Sequence, residues 1–224
     1  MMMSQRHGAH ARVLHLLLCW ACATVGDVEG AEPRPKSVRI VYLVSADREV
    51  REDFRKAVEM AAKDLQAWYA KQLGGPTFRL NDPIVEVVKS DKKALWFYSH
   101  PNGEHPDLWG FNNGLDEARR LIGAKFNDPQ YVWVIYSDGP GNKGRGGSGV
   151  AVLPEDDLLG LVGQHPTQKS VQRWIAGLGH ELGHAFGLRH PPDTNRDHDA
   201  ITVSYTHLRA HETPEHLVCR LLLE

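Results

Sequence analysis

The chain contains little cysteine. Among its 224 residues there are three cysteines, at positions 19, 22 and 219, and none lies in the long central part of the sequence. That central part can therefore form no disulfide and offers no thiolate to a metal ion. Any metal ion there must be held by histidine, aspartate or glutamate side chains. The sequence also has no Asn-x-Ser/Thr sequon, so nothing indicates N-glycosylation.

An excess of charge of one sign and a long apolar run are also missing. The 26 Lys and Arg residues nearly balance the 28 Asp and Glu residues, and the basic residues form no stripe. This excludes the electrostatic pattern of a nucleic-acid-binding surface. The most apolar segment, Val13–Ala23, is too short to span a bilayer, which needs about 20 residues. We therefore predict no nucleic acid partner and no membrane span, and no pattern indicates an oligomer.

The first residues have the order of a secretory signal peptide. A basic lead precedes the apolar run, and a polar stretch with small residues follows it. The sequence therefore predicts a signal peptide over residues 1–31, cleaved near Ala23 or Ala31, and a Pro-containing linker over 32–37. The protein is then secreted or otherwise extracytoplasmic. A lipid anchor on Cys22 is disfavoured because the residues before it fit a lipobox poorly, and a disordered N-terminus of a cytosolic protein is the alternative.

The rest of the chain alternates short apolar runs with helical patterns, which indicates one α/β or α+β domain. Strands are predicted at Val38–Val44, Phe78–Leu80, Ile84–Val88, Tyr131–Tyr136 and Val150–Leu153. Helices are predicted from Ser45 or Asp47 to Leu73, over Leu115–Ile122, after Pro154, and from an N-cap at Thr167. Tyr131–Tyr136 is apolar throughout and is predicted to be central. Residues 99–114 and the glycine-dense 139–149 are predicted to be loops.

The chemistry is carried by residues 180–190, which read HELGHAFGLRH. His180 and His184 are four residues apart and share one face of a helix, so both imidazoles can reach one ion. Gly187 can end the helix in a left-handed conformation and return His190 to the same ion. Three imidazoles leave one position of a zinc ion open, which is typical of a catalytic site. Glu181, at the border of that face, is predicted to be the general base.

The full H-E-x-x-H-x-x-G-x-x-H pattern resembles the metzincin clan of zinc metalloendopeptidases, and its wording is similar to matrixin-like members. A weaker likeness extends over residues 38–190. The resemblance implies an N-terminal subdomain with a twisted mixed sheet, a long backing helix and an active-site helix. It also implies that Val150, Ala151, Val152 and Leu153 form an edge strand that pairs with an extended peptide substrate.

The chain departs from this clan after the third histidine. A methionine turn is expected there, but methionine occurs only at positions 1, 2, 3 and 60, and Thr202 stands where methionine is expected. The composition changes from Val203, and residues 203–224 resemble a non-native extension. We therefore expect an incomplete zinc metallopeptidase domain over 38–202, whose native continuation and C-terminal subdomain lie beyond Ile201.

The leading hypothesis is an exported zinc endopeptidase with one catalytic zinc ion and a protein or peptide substrate. A catalytically silent zinc-binding interaction domain and a zinc amidase acting on a non-protein amide are the alternatives. The loop Asp193–Asp199 has calcium-loop character but lacks the glycine and glutamate of such a loop, so calcium is unsupported. The pair His207 and His211 has the spacing of metal ligands without a following glutamate, and we interpret it as chance.

Overall fold

A computed structural model describes residues 36–195 and 200–202, and its centre is a five-stranded mixed sheet. The strands are β1 (Ser37–Val44), β2 (Arg79–Lys89), β3 (Tyr131–Ser137), β4 (Arg145–Gly147) and β5 (Val150–Leu153). Their order across the sheet is β2-β1-β3-β5-β4, so β3 is central as predicted. The pairs β1–β2, β1–β3 and β3–β5 are parallel, and β4 pairs antiparallel with β5.

Five helices cover the two faces of the sheet. They are α1 (Glu52–Leu73), α2 (Ala94–Ser99), α3 (Trp109–Ile122), α4 (Glu155–Leu161) and α5 (Val171–Ala185). One core contains alternate β1 residues such as Tyr42 and Val44, together with apolar residues of α1, α4 and α5. The second core contains Val41 and Leu43 with residues of α2 and α3. Because strand side chains alternate between faces, the sheet is buried on both sides, and the predicted α/β fold is confirmed.

Several predicted boundaries were wrong. Helix α1 begins at Glu52, and not at the predicted Ser45 or Asp47. The two predicted strands over 78–88 are one continuous strand, β2, which pairs along β1 with a shift of register after Val38. Helix α5 has Ser170 at its N-cap position rather than Thr167. These errors lie at element ends, where tertiary contacts outweigh local preference.

The segment 99–114 was predicted to be a loop, but α3 already begins at Trp109. The side-chain amide of Asn113 donates hydrogen bonds to the carbonyl oxygens of Phe97 (2.9 Å) and His100 (2.8 Å). Gly114 lies so close to the sheet that a Cβ there would be 2.8 Å from Val152. Asparagine and glycine therefore serve tertiary contacts here, which their weak helix propensity conceals in the sequence.

The predicted edge strand was also wrong. Residues Val150, Ala151, Val152 and Leu153 form β5, which lies between β3 and β4 and pairs with both. All four are buried. Their backbone groups already take part in ladders on both sides, so this strand has no free edge for a substrate. The outer strand on this side is β4, inside the segment predicted to be a glycine-rich loop.

Some predictions lie outside the described residues. These are the signal peptide over 1–31, most of the linker, the tail over 203–224, the pair His207 and His211, and residues 196–199 of the loop with calcium-loop character. Within the described part, no helix combines the length and the apolar character needed to cross a membrane.

The contact between α1 and α5 generates a prediction about stability. Leu65 is fully buried in the core beneath α5, and its side chain fills the space beside Gly179. Replacement by alanine leaves a cavity, so we expect Leu65→Ala to lower the free energy of unfolding by about 2–5 kcal/mol. Urea denaturation measures this. Leu95→Ala is the control, because Leu95 is 65% exposed, and we expect a change within about 0.5 kcal/mol. Equal effects of the two variants would contradict this packing.

Candidate metal centre

Helix α5 carries the motif and is held on two sides. Its apolar residues Ile175, Leu178 and Leu182 belong to the core that it shares with α1 and α4. Trp174 packs so closely on Gly160 of α4 that a Cβ at position 160 would overlap the indole ring. A helix that is buried on these sides cannot rotate without loss of packing, which fixes the direction of the side chains on its remaining face.

Three histidine rings meet at the C-terminal end of α5. The Nε2 atom of His184 lies 3.1 Å from Nε2 of His180 and 3.0 Å from Nε2 of His190. Nitrogen ligands at about 2.0–2.1 Å from a tetrahedral ion lie about 3.3 Å from one another. One ligand atom from each ring falls within 4.8 Å of the others. The three histidines are therefore arranged as ligands of one ion and could hold a metal ion.

The tautomer of His184 is fixed by a hydrogen bond. Its Nδ1 lies 2.8 Å from the carbonyl oxygen of Leu188. A carbonyl oxygen only accepts, so Nδ1 carries the proton, and the neutral ring keeps its lone pair on Nε2. Nε2 is the atom that faces the other two histidines. This arrangement is common for metal-binding histidines, whose second nitrogen donates to a backbone carbonyl.

His180 is buried, and its burial keeps the ring neutral. The pKa of His180 is lowered to about 4, chiefly by loss of water and to a smaller extent by the nearby rings of His184 and His190. A backbone hydrogen bond with Ile201 acts in the opposite direction but is outweighed. At pH 7 the ring is therefore unprotonated. A lone pair is available for a metal ion without the release of a proton.

A sharp turn after α5 brings the third histidine back. Gly187 has φ of 91°, a left-handed conformation that favours glycine, as the sequence predicted for this position. The amide of Gly187 donates to the carbonyl of His184 at 2.9 Å, and the amide of Leu188 donates to that of Gly183 at 2.9 Å. These bonds close the helix end and place His190 beside His184, at the exposed side of the site.

Glu181 lies on the cleft side of α5 and is 6% exposed. Burial raises the pKa of Glu181 to about 7, against the opposing effects of Arg145 and of a hydrogen bond from the backbone of Gly146. A carboxyl group whose pKa lies near 7 can accept a proton and release it again at neutral pH. The residue that the sequence predicts as the base therefore has suitable electrostatics.

The edge strand β4 packs directly on α5. A Cβ on Gly146 would overlap the carbonyl oxygen of Glu181 and lie 3.0 Å from Cβ of His184. Nearby, the amide of Gly149 donates to the carbonyl of Ala185 at 3.0 Å. The glycines of 139–149 thus permit a close approach of two backbones, a role that the sequence analysis did not identify.

Residues 200–202 return beneath the histidines. Thr202 is buried, and its hydroxyl donates to the carbonyl of Arg189 at 3.1 Å. Its methyl group packs against Gly183 of α5. A Cβ added to Gly183 would lie 3.2 Å from this methyl carbon. The resemblance to metzincins predicts methionine at this position. Thr202 stands there instead and supports the turn between α5 and His190 by packing and by one hydrogen bond.

A cleft of about 760 Å³ joins these groups. The three histidines and Glu181 line it, together with the glycine-rich segment 142–148. Asp157 from α4 and Arg173 and Trp174 from the first turns of α5 line the same cleft. Asp157 is 6% exposed, and burial raises the pKa of Asp157 to about 8, with smaller raising effects from Glu181 and Asp156 that Arg173 opposes.

Four groups of this site were not predicted from the sequence. The carbonyl of Leu188 orients His184, the backbones of Ile201 and Gly146 bond to His180 and Glu181, and Asp157 lines the cleft. Three of them act through backbone atoms, which every residue type has, so the sequence gives no signal for them. Asp157 is one of three consecutive acidic residues at the start of α4, a pattern that by itself indicates only a helix N-terminus.

Solved structures, but neither family models nor curated proteins, are similar to this chain. Two crystal forms of wild-type OgpA from Akkermansia muciniphila match with TM-scores of 0.43 and 0.46 and with 19% and 22% sequence identity. Each match covers 70% of this chain and 49% of OgpA, so the chain spans about half of the length of OgpA.

The contact between β4 and α5 predicts that alanine substitutions at two adjacent glycines have different effects on metal binding. Gly146→Ala forces the strand away from Glu181 and His184, so we expect the affinity for a divalent metal ion, with zinc as the probe, to fall about 10–100-fold. Gly147→Ala is the matched control, because a Cβ there meets nothing within 4 Å. Zinc titration with a competing chelator measures both. Equal zinc affinity of the two variants would show that this contact does not support the site.

The raised pKa of Asp157 predicts that the stability of the metal-free protein depends on pH. Between pH 4 and pH 8 its carboxyl ionises in the unfolded chain but stays protonated in the folded one, because its pKa rises from 3.8 to about 8. Stability is therefore lost as pH rises through this window. We expect Asp157→Asn to remove a slope of up to about 1.4 kcal/mol per pH unit. Urea denaturation at several pH values measures it, and an unchanged slope contradicts the prediction.

Proposed function

We propose that the chain is an exported zinc-dependent endopeptidase of the metzincin type. One observation carries the proposal. Three histidine Nε2 atoms converge, with 3.1 Å and 3.0 Å between neighbours, in the same cleft as a buried glutamate. Imidazole nitrogens suit zinc, and among the described residues these three side chains are the group that could hold the ion, which leaves a fourth position for a reactant.

Zinc, when bound, would polarise a substrate carbonyl and make a water molecule a better nucleophile at neutral pH. The residues of the chain would bind the ion and transfer the proton. His180, His184 and His190 would hold the ion, and the hydrogen bond from His184 to Leu188 keeps the lone pair of His184 directed at it. Glu181 would accept the proton of the attacking water and pass it to the leaving amine, which its pKa of about 7 allows.

The outer strand β4 is the better candidate for substrate binding than β5. It is the last strand of the described sheet, and the segment around it lines the cleft. An extended peptide can add to a sheet edge through backbone hydrogen bonds. A peptide bound along β4 would pass close to Glu181, because Gly146 touches the backbone of that residue. This replaces the sequence-based assignment to Val150–Leu153.

The alternatives differ in what they require of Glu181. A silent zinc-binding domain has no need of a base, so the burial of Glu181 in the cleft, at a cost in solvation, favours an enzyme. A zinc amidase that acts on a non-protein amide would use the same residues. The edge strand beside the site favours a peptide over such a substrate.

Substitutions at the two kinds of site residue test the proposal. We expect Glu181→Gln to retain one zinc ion per chain and to lose about 10²–10⁴-fold in peptide cleavage, because the glutamine cannot accept a proton. His184→Ala removes a ligand and is expected to lose the zinc itself. Metal content by elemental analysis and cleavage of a fluorogenic peptide library measure both.

Glu104→Gln is the control for the loss of one carboxylate, because Glu104 is exposed and lies outside the cleft. This variant should match the wild-type protein in zinc content and in the rate of peptide cleavage. The proposal is contradicted if the wild-type protein binds no zinc, or if Glu181→Gln cleaves as fast as the wild-type protein does. Zinc binding with no cleavage of any peptide would favour the silent domain.

A further inference from the structure

Asp157 is a buried carboxyl group that faces the cleft without a bonding partner. It is 6% exposed and lines the same cleft as the three histidines. Within residues 36–195 and 200–202, no hydrogen bond or ion pair reaches its side chain. Its oxygen atoms are not among the fully buried side-chain atoms that lack a partner, so they are open to the cleft. A ligand in the cleft can therefore pair with this carboxyl group.

The charges around Asp157 favour a cationic ligand. Asp156 and Glu181 both act to raise its pKa, and Arg173 opposes them. Without a ligand the carboxyl group of Asp157 is therefore protonated at neutral pH, because its pKa is about 8. A cation beside it would lower that pKa and favour the ionised form, and a buried carboxylate gains most from a partner with a full charge.

The surrounding walls fit a side chain with an apolar stem. Trp174 lines the cleft beside Asp157 and is itself buried. Close packing of Trp174 on Gly160 ties α4 to α5, so Asp157 and the indole ring are held in place before any ligand arrives. Lysine and arginine have long apolar stems and cationic ends, which is the combination that an indole wall and a carboxyl end can accept.

We propose that Asp157 is the specificity-determining group of a subsite that binds a lysine or arginine side chain of a peptide substrate. This rests on the proposed function, because it assumes that the peptide lies in the cleft of the zinc site. The influence of Glu181 on Asp157 places the two carboxyl groups near each other. The basic residue would therefore lie close to the cleaved bond.

A binding measurement that needs no cleavage tests the subsite separately from the activity. The zinc-loaded Glu181→Gln protein is titrated with two alanine-rich peptide amides that differ only at the central residue, which is lysine or norleucine. Norleucine keeps the apolar stem and lacks the charge. We expect the lysine peptide to bind about ten-fold more tightly, as one charged hydrogen bond allows. In the Glu181→Gln, Asp157→Asn double variant the two peptides should bind equally.

Asp156→Asn in the same background is the matched control. Asp156 is the adjacent carboxylate of α4, lies outside the cleft and pairs with His165 at 3.6 Å. This variant should keep the preference for lysine. Urea denaturation and zinc content establish that each variant is folded and loaded.

Equal binding of the two peptides to the Glu181→Gln protein overturns the proposal. So does a preference for lysine that survives Asp157→Asn, or one that Asp156→Asn also removes. Failure of the wild-type protein to cleave any peptide would instead overturn the proposed activity. A lysine preference that depends on Asp157 would in that case still support the subsite.

Discussion

The hydrogen bond from Nδ1 of His184 to the carbonyl of Leu188 connects the two parts of the metal centre. The acceptor belongs to the turn that Gly187 makes possible, and the donor belongs to the last turn of α5. One bond therefore directs the lone pair of His184 and holds the chain reversal that returns His190. Without it, the ring could rotate and the third histidine would lose its neighbour. The geometry of the candidate metal centre therefore depends on this contact, which acts on both of its parts.

Burial of α5 produces the electrostatic character of the site. Removal of water disfavours charge on any group, so it acts in opposite directions on a base and on an acid. It lowers the pKa of His180 and raises the pKa of Glu181. Both effects favour a neutral ligand beside a carboxyl group that can exchange a proton near pH 7. The close contact with β4 contributes by excluding solvent from the helix.

The sequence alone predicted the parts of the structure that local pattern determines. The strands β1 and β3, the end of α1, the turn at Gly187 and the three adjacent histidine rings depend on neighbours in the chain. The outer position of β4 and the early start of α3 do not depend on neighbours in the chain. They depend on contacts between segments far apart in sequence, such as Gly146 with Glu181 and Asn113 with Phe97. A glycine or asparagine that serves such a contact looks like a loop residue.

The groups that line the cleft come from two different helices. The histidines and Glu181 belong to α5, whereas Asp157 belongs to α4, which is joined to α5 by the packing of Trp174 on Gly160. A residue change at position 157 therefore replaces a group that lines the cleft without altering the three histidines or the turn that positions His190. The chemical character of the cleft can in this way vary on one helix while the candidate metal centre on the other stays unchanged.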